Sequence, residues 1–254
     1  MIKANIIQSV GRAIEILKCF EDKPELGVSE ISRMMDLHKS TTFGLIATLE
    51  AYKLLEKNEQ NNKYRLGIEL FTLGSRVQSD LKSIAAPYLA DLVKTYEETA
   101  HLVIRDKYEV LYLDKIESTH SMRICSRVGD RLPMYCTGVG KVILANLSED
   151  EFKDIFDNIE LKKTSINTIS DKEELIKHLQ IVRDKGFAED LEEIEAGLNC
   201  VAAPVFDHTN KVVAAISVAG PAVRMTDEIR QKIAETLVGY TNEISKKLGY
   251  KAQL

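Results

Sequence analysis

Lys39-Ser40-Thr41-Thr42 sets one cation and three hydroxyls in consecutive positions, just ahead of the apolar residues Leu45, Ile46 and Leu49. At the start of a helix, such a set can donate to phosphate oxygens and to base edges, and the helix N-terminus itself attracts phosphate. Lys57, Lys63 and Arg65 lie close behind in the chain, and Arg12 lies ahead of it; all four suit the flanking backbone of a duplex. A second stretch, Thr137-Gly138-Val139-Gly140-Lys141, also opens a helix. Thr137 can cap it, its glycines admit a ligand close to the backbone, and its exposed N–H groups suit a carboxylate. It is not a P-loop, which needs glycine at Tyr135 and a hydroxyl at Val142, nor a dinucleotide fingerprint, which needs glycine at Ile143.

Catalytic and metal-binding patterns are weaker. The five histidines form no HExxH pair, and no GxSxG nucleophile elbow occurs. Cys136 with a distant histidine could be drawn as a thiol dyad, and Cys136, Asp190, Cys200 and a histidine as a metal site, but neither has supporting spacing. We therefore expect no enzyme activity, cofactor or metal. Asp190 sits in Glu189-Asp190-Leu191-Glu192-Glu193, a run that reads equally well as a solvated acidic surface.

The elements needed to position the first set are legible. Val10, Ile14, Leu17 and Phe20 recur at helical spacing, so a helix is expected over about 9–21, stopped by Asp22-Lys23-Pro24. Ser29 can cap a short helix bearing Ile31, Met34 and Met35. A tight connection, Asp36 to Lys39, leads to a helix starting at Ser40, with Tyr52 expected to face inward beside Leu45, Ile46 and Leu49. Residues 54–57 and 63–66 read as short strands around a polar turn, which completes a winged helix–turn–helix over 1–68. Residues 68–82 read as a linking helix, and Pro87 is expected near the start of the next, at about 84–97.

Farther on, residues 100–104, 110–116, 122–125, 201–206 and 212–218 read as strands, and 138–147, 149–158, 171–185 and 226–248 as helices. The mixture points to an α+β fold with an antiparallel sheet flanked by helices rather than a doubly wound one. The 254 residues carry a net charge of -5, yet residues 1–68 carry +1, the sign expected of a nucleic-acid module on a larger acidic body. The cysteines Cys19, Cys125, Cys136 and Cys200 are widely spaced, against a disulfide scaffold. No apolar run is long enough to span a membrane and no signal core opens the chain, so a cytoplasmic protein without a membrane partner is expected.

The ordered pieces SVGRAIEILKCF, VSEISRMMDLHKSTTFGLIATLE, NKYRLGIELFTLG, RVGDRLPMYCTGVGKVILA and VRDKGFAEDLEEIEAGLNCVAAPVFD resemble the IclR family of transcriptional regulators over nearly the whole chain. The resemblance implies an N-terminal winged helix–turn–helix (1–68), a linker helix (69–82) and an effector-binding domain (83–254) of GAF/PAS-like build. It implies a double-stranded DNA operator as partner, homodimers or homotetramers, and a repressor tuned by a small carboxylate such as a keto or sugar acid. An activator remains the alternative, followed by a metabolite-binding protein or enzyme with a vestigial helix–turn–helix. Matched residue by residue, the effector pocket falls on Ile124, Leu132, Gly138, Val139, Asp190, Leu198, Cys200 and Ser217. Four positions depart from the family pattern. Asp36 stands where relatives carry a turn glycine, Gly44 where they often carry a basic residue, Ser121 where they often carry an apolar residue, and Ala219 where some carry a hydroxyl.

Overall fold

The structure, a computed structural model, describes residues 7–21, 23–75 and 80–251. The chain divides into two compact units, 1–78 and 79–254. In the first, α1 (Gln8–Lys18), α2 (Val28–Met34) and α3 (Lys39–Ala51) precede an antiparallel pair, β1 (Leu55–Asn58) and β2 (Lys63–Leu66), then α4 (Ile68–Ser75). Ile16, Phe20, Leu26, Ile31, Ile46, Leu49, Leu55 and Tyr64 make its core. Leu26 bridges Tyr64, and Glu25 accepts from the Asn58 and Asn61 amides at 2.9 and 2.7 Å, which ties the wing back to the body.

Asp36 adopts φ 50° in the turn between α2 and α3. This is the left-handed conformation that glycine favours and that aspartate tolerates better than most residues. The third helix begins one residue earlier than expected: His38 occupies the N-cap and Ser40 lies inside the first turn. Tyr52 caps the far end and is exposed rather than inward-facing, because the helix ends before another buried position comes round. Of the expected stop after the first helix, Asp22 lies outside the described residues, as do 76–79 of the expected linking helix.

The second unit is a six-stranded antiparallel sheet in the order β5-β4-β3-β8-β7-β6. The strands are β3 (Thr99–Asp106), β4 (Glu109–Ile116), β5 (Arg131–Pro133), β6 (Ala188–Leu191), β7 (Leu198–Phe206) and β8 (Val212–Pro221). Helices α5 (Asp80–Tyr96) and α9 (Asp227–Lys247) cover one face; α6 (Gly138–Ala145) and α8 (Lys172–Lys185) cover the other, with α7 (Glu149–Asn158) beside them. Strand parity divides the two cores. Val201, Ala203 and Val205 face α5 and α9, and Ala202 faces α6. Burial on both faces explains why these strands read as nearly unbroken apolar runs.

Three expectations are corrected here. Residues 122–125 are not a strand, because the edge of β4 pairs with Arg131–Pro133 instead. The intervening loop is held by side chains: Arg224 donates to the Met122 carbonyl at 2.9 Å, and Lys115 donates to that of Ser126. Pro87 sits inside α5 rather than near its start, at a solvent-facing position. The acidic run after residue 188 forms β6 and buries Asp190 and Glu193, so it is not a solvated surface.

Candidate functional site

Two surfaces carry the candidate chemistry. On α3, Lys39, Ser40 and Thr41 are exposed at the helix N-terminus, where the first N–H groups have no intrahelical partner. Thr42 is not on this surface. It is fully buried and its hydroxyl donates to the His38 carbonyl at 3.2 Å, since it shares the inward row of Ile46 and Leu49. The correction follows from helical periodicity, which outranks the run of hydroxyls in sequence. Arg12 is half-buried on α1.

The basic residues of the wing meet acids within their own unit. Arg65 makes a two-pronged contact with Glu56 at 3.0 and 3.2 Å, Lys63 lies 3.4 Å from Glu30, and Lys57 lies 4.0 Å from Glu59. Exposed pairs of this kind are worth about 0–1 kcal/mol, so each cation can exchange its partner for a phosphate at small cost. Phe43 was not singled out from sequence, yet 56% of it is exposed on the outer face of α3. Its signal was available: a large apolar residue off the row of Thr42, Ile46 and Leu49.

The second surface is a cavity of about 190 Å³ in the larger unit, on the α6 side of the sheet. Ile124, Leu132, Gly138, Val139, Asp190, Leu198, Cys200 and Ser217 all line it. Register explains the convergence: Asp190 lies opposite Cys200, Cys200 opposite Ala219, and Ser217 opposite His101. The N-terminus of α6 opens into this space. Thr137 caps it, accepting from the Gly140 amide at 3.2 Å and donating to the Pro133 carbonyl at 3.0 Å. The two glycines have different work. A Cβ at Gly138 would meet the Cys200 sulfur at 3.3 Å inside the cavity wall, whereas one at Gly140 would stand 2.2 Å from the Met134 carbonyl oxygen. Gly140 therefore serves packing of α6, and only Gly138 borders the space a ligand could enter.

His101, Tyr112 and Ser126 also line the cavity and were missed from sequence. The His101 ring bonds the Ser126 hydroxyl at 2.7 Å and the Ser217 hydroxyl at 3.4 Å, and stands edge-on to Tyr112. Burial, then the nearby Lys115, pushes its pKa down to about 3, so the ring is neutral at physiological pH. Burial raises Asp190 to about 7, against the opposing pull of the Glu193 amide and Lys141. Burial likewise raises Cys200 to about 12, keeping it a thiol. With His101 and Cys200 uncharged and Asp190 partly protonated near pH 7, the space at the helix N-terminus suits one carboxylate with hydroxyl or carbonyl groups at its far end. Among the described residues, no cluster of histidine, cysteine or carboxylate side chains could hold a metal ion.

Beneath this wall Lys141, wholly buried, pairs with the buried Glu193. Asp190 Oδ1 accepts from the Glu193 amide at 2.7 Å, and the Thr164 and Thr168 hydroxyls donate to the Glu193 carbonyl at 2.7 and 2.6 Å.

Residues 9–59 match the family described as IclR helix-turn-helix domain, and residues 75–246 match bacterial transcriptional regulator IclR, C-terminal. The chain is 35% identical to the HTH-type transcriptional regulator KdgR of Escherichia coli K12 over 246 residues, 96% of this chain and 94% of that protein. It is 33% identical to the HTH-type transcriptional repressor AllR of Escherichia coli UTI89 over 250 residues, 97% of this chain and 92% of that protein. The crystal structure of Thermotoga maritima IclR superposes with a TM-score of 0.81 at 34% identity, covering 95% of this chain and 99% of that one.

Proposed function

The chain belongs to the IclR family of bacterial DNA-binding transcriptional regulators, and on that premise we propose that it is a repressor released from or held on its operator by a small organic acid. Lys39, Ser40 and Thr41 contact the duplex at the start of α3, and Arg12, Lys57, Lys63 and Arg65 contact its phosphates. The acid places its carboxylate on the Gly138 and Val139 amides. Asp190, Cys200, Ser217 and His101 meet its polar end, and Ile124, Leu132 and Leu198 its apolar flank.

The observation that carries this reading is the cavity itself: residues as far apart in the chain as His101 and Ala219 line one space of about 190 Å³ at the mouth of a capped helix N-terminus. The repressor sense is supported by the relative AllR, itself a transcriptional repressor. A dimer is supported by the exposed apolar residues Ile7, Val10 and Ile14 on or beside α1 and Ile68, Phe71 and Leu73 on α4. Two copies would set their recognition helices on half-sites about 34 Å apart. Such a protein works in the cytoplasm, beside the DNA it reads; no described helix is long and apolar enough to cross a membrane. An acid that prefers one DNA-binding arrangement 100-fold shifts operator affinity by about 2.7 kcal/mol.

The test is a thermal-shift screen of keto, hydroxy and sugar acids, followed by salt titration of binding to duplex DNA. An acid present at 100 times its Kd adds about 2.7 kcal/mol of stability. Specific binding with a steep salt dependence that the same acid alters supports the reading. Turnover of the acid without specific DNA binding rejects it.

A further inference from the structure

The exposed face of α3 changes character after its first turn. Lys39, Ser40 and Thr41 are polar and open to solvent. The next exposed positions are Phe43, Gly44, Ala47 and Thr48. Phe43, Gly44 and Ala47 carry no side-chain donor. The Thr48 hydroxyl donates to the Gly44 carbonyl at 2.9 Å, so its proton is already used. From Phe43 to Thr48 this face offers no free side-chain N–H or O–H. In the major groove the apolar feature of a base edge is the 5-methyl group of thymine.

Gly44 points the same way. Its backbone is ordinary helix, and a Cβ there would meet nothing within 4 Å. Neither folding nor packing within the unit requires glycine, although glycine weakens a helix relative to alanine. A bare position on an outward face is useful where another surface must approach the backbone closely.

We propose that Phe43 and Ala47 read thymine by its methyl group, with Gly44 admitting the helix deep into the groove. The inference rests on the reading above that α3 enters the major groove. It makes Phe43 a specificity-determining residue, so that the first turn of α3 reads by hydrogen bonds and the second by apolar contact.

The test begins with a duplex enriched from a random pool by the wild-type full-length chain. Each thymine of the enriched half-site is then replaced singly by uracil, which keeps every base-edge hydrogen-bonding group and removes only the methyl. At one or two positions wild-type affinity should fall about four-fold, the value expected for one buried methyl at about 0.8 kcal/mol. Phe43→Ala should bind the thymine duplex more weakly and lose the thymine-over-uracil difference at those positions. Its melting temperature should match wild type, because the side chain lies outside the core. Gly44→Ala should melt higher yet bind the enriched duplex more weakly. A full thymine-over-uracil difference in Phe43→Ala, or no responsive thymine in wild type, overturns the assignment; so does a Phe43→Ala variant whose only change is in oligomeric state. Gly44→Ala binding as tightly as wild type overturns the close approach. If the wild-type chain enriches no sequence at all, the DNA-binding reading itself falls and carries this inference with it.

Discussion

Replacing Lys141 by methionine should destabilise the larger unit far more than an ordinary surface change. Lys141 lies wholly buried in α6 and pairs with Glu193, itself only 5% exposed. The Lys141 ammonium meets Glu193 Oε1, and Oε2 has no hydrogen-bond partner among the described residues. Removing the cation leaves a buried carboxylate uncompensated, which costs about 3–5 kcal/mol. At about 2–4 °C per kcal/mol for a unit of this size, the melting temperature should drop by roughly 6–20 °C. Burial already raises the Glu193 pKa, with Lys141 pulling against it. Without Lys141 the carboxyl rises further, and protonation then relieves the cost. The loss should accordingly be greatest at pH 8 and shrink as pH falls through the raised pKa. Calorimetric and urea unfolding of the full chain at several pH values, for Lys141→Met, Glu193→Met and the double variant, reads both effects. The double variant should recover to near wild type or above it, because two apolar side chains avoid the desolvation of both ions. A single variant within about 1 kcal/mol of wild type at pH 8 would refute the reasoning, as would a double variant no better than the single.

Three further outcomes follow from the same geometry. Burial raises Asp190 from its ordinary 3.8 to about 7, so the folded protein holds a proton that the unfolded chain releases. This residue's contribution to stability is intact below about pH 4 and is lost as pH rises to about 7. The stability of Asp190→Asn relative to wild type should therefore climb over that window and level off above it; a flat difference in urea unfolding would reject the buried acid. Lys39→Ala should weaken operator binding and reduce the slope of log affinity against log salt by about 1, with an unchanged melting temperature. An unchanged slope removes Lys39 from phosphate contact. Asp36 holds φ 50°, so Asp36→Gly should be neutral or stabilising, whereas Asp36→Val should cost about 1–2 kcal/mol or more, read by urea denaturation. A Val variant as stable as wild type would mean the turn relaxes out of the left-handed region.

The smaller unit was legible almost throughout, because its signals are local. Ile31, Ile46 and Leu49 reveal their helices by spacing, and Asp36 marks a left-handed turn within a few residues of both helices it joins. The same spacing places Thr42 on the buried row, so counting hydroxyls misled where periodicity would not have. The cavity residues expected from family resemblance do converge, but residue spacing alone could not have assembled them. His101 meets Ser217 across 116 positions, and the partnership exists only because β3 pairs with β8 in one register. A shift of one residue would turn His101, Asp190, Cys200 and Ser217 to the opposite face, among the contacts of α5 and α9. The run from Glu189 to Glu193 likewise looks like surface in sequence. It becomes interior only where β6 pairs with β7 and α6 brings Lys141 against it. Local composition and period decided which segments are helices and strands. Long-range strand pairing decided which polar side chains share a dry space, because the free energy of a buried charge depends on neighbours that the chain supplies from elsewhere.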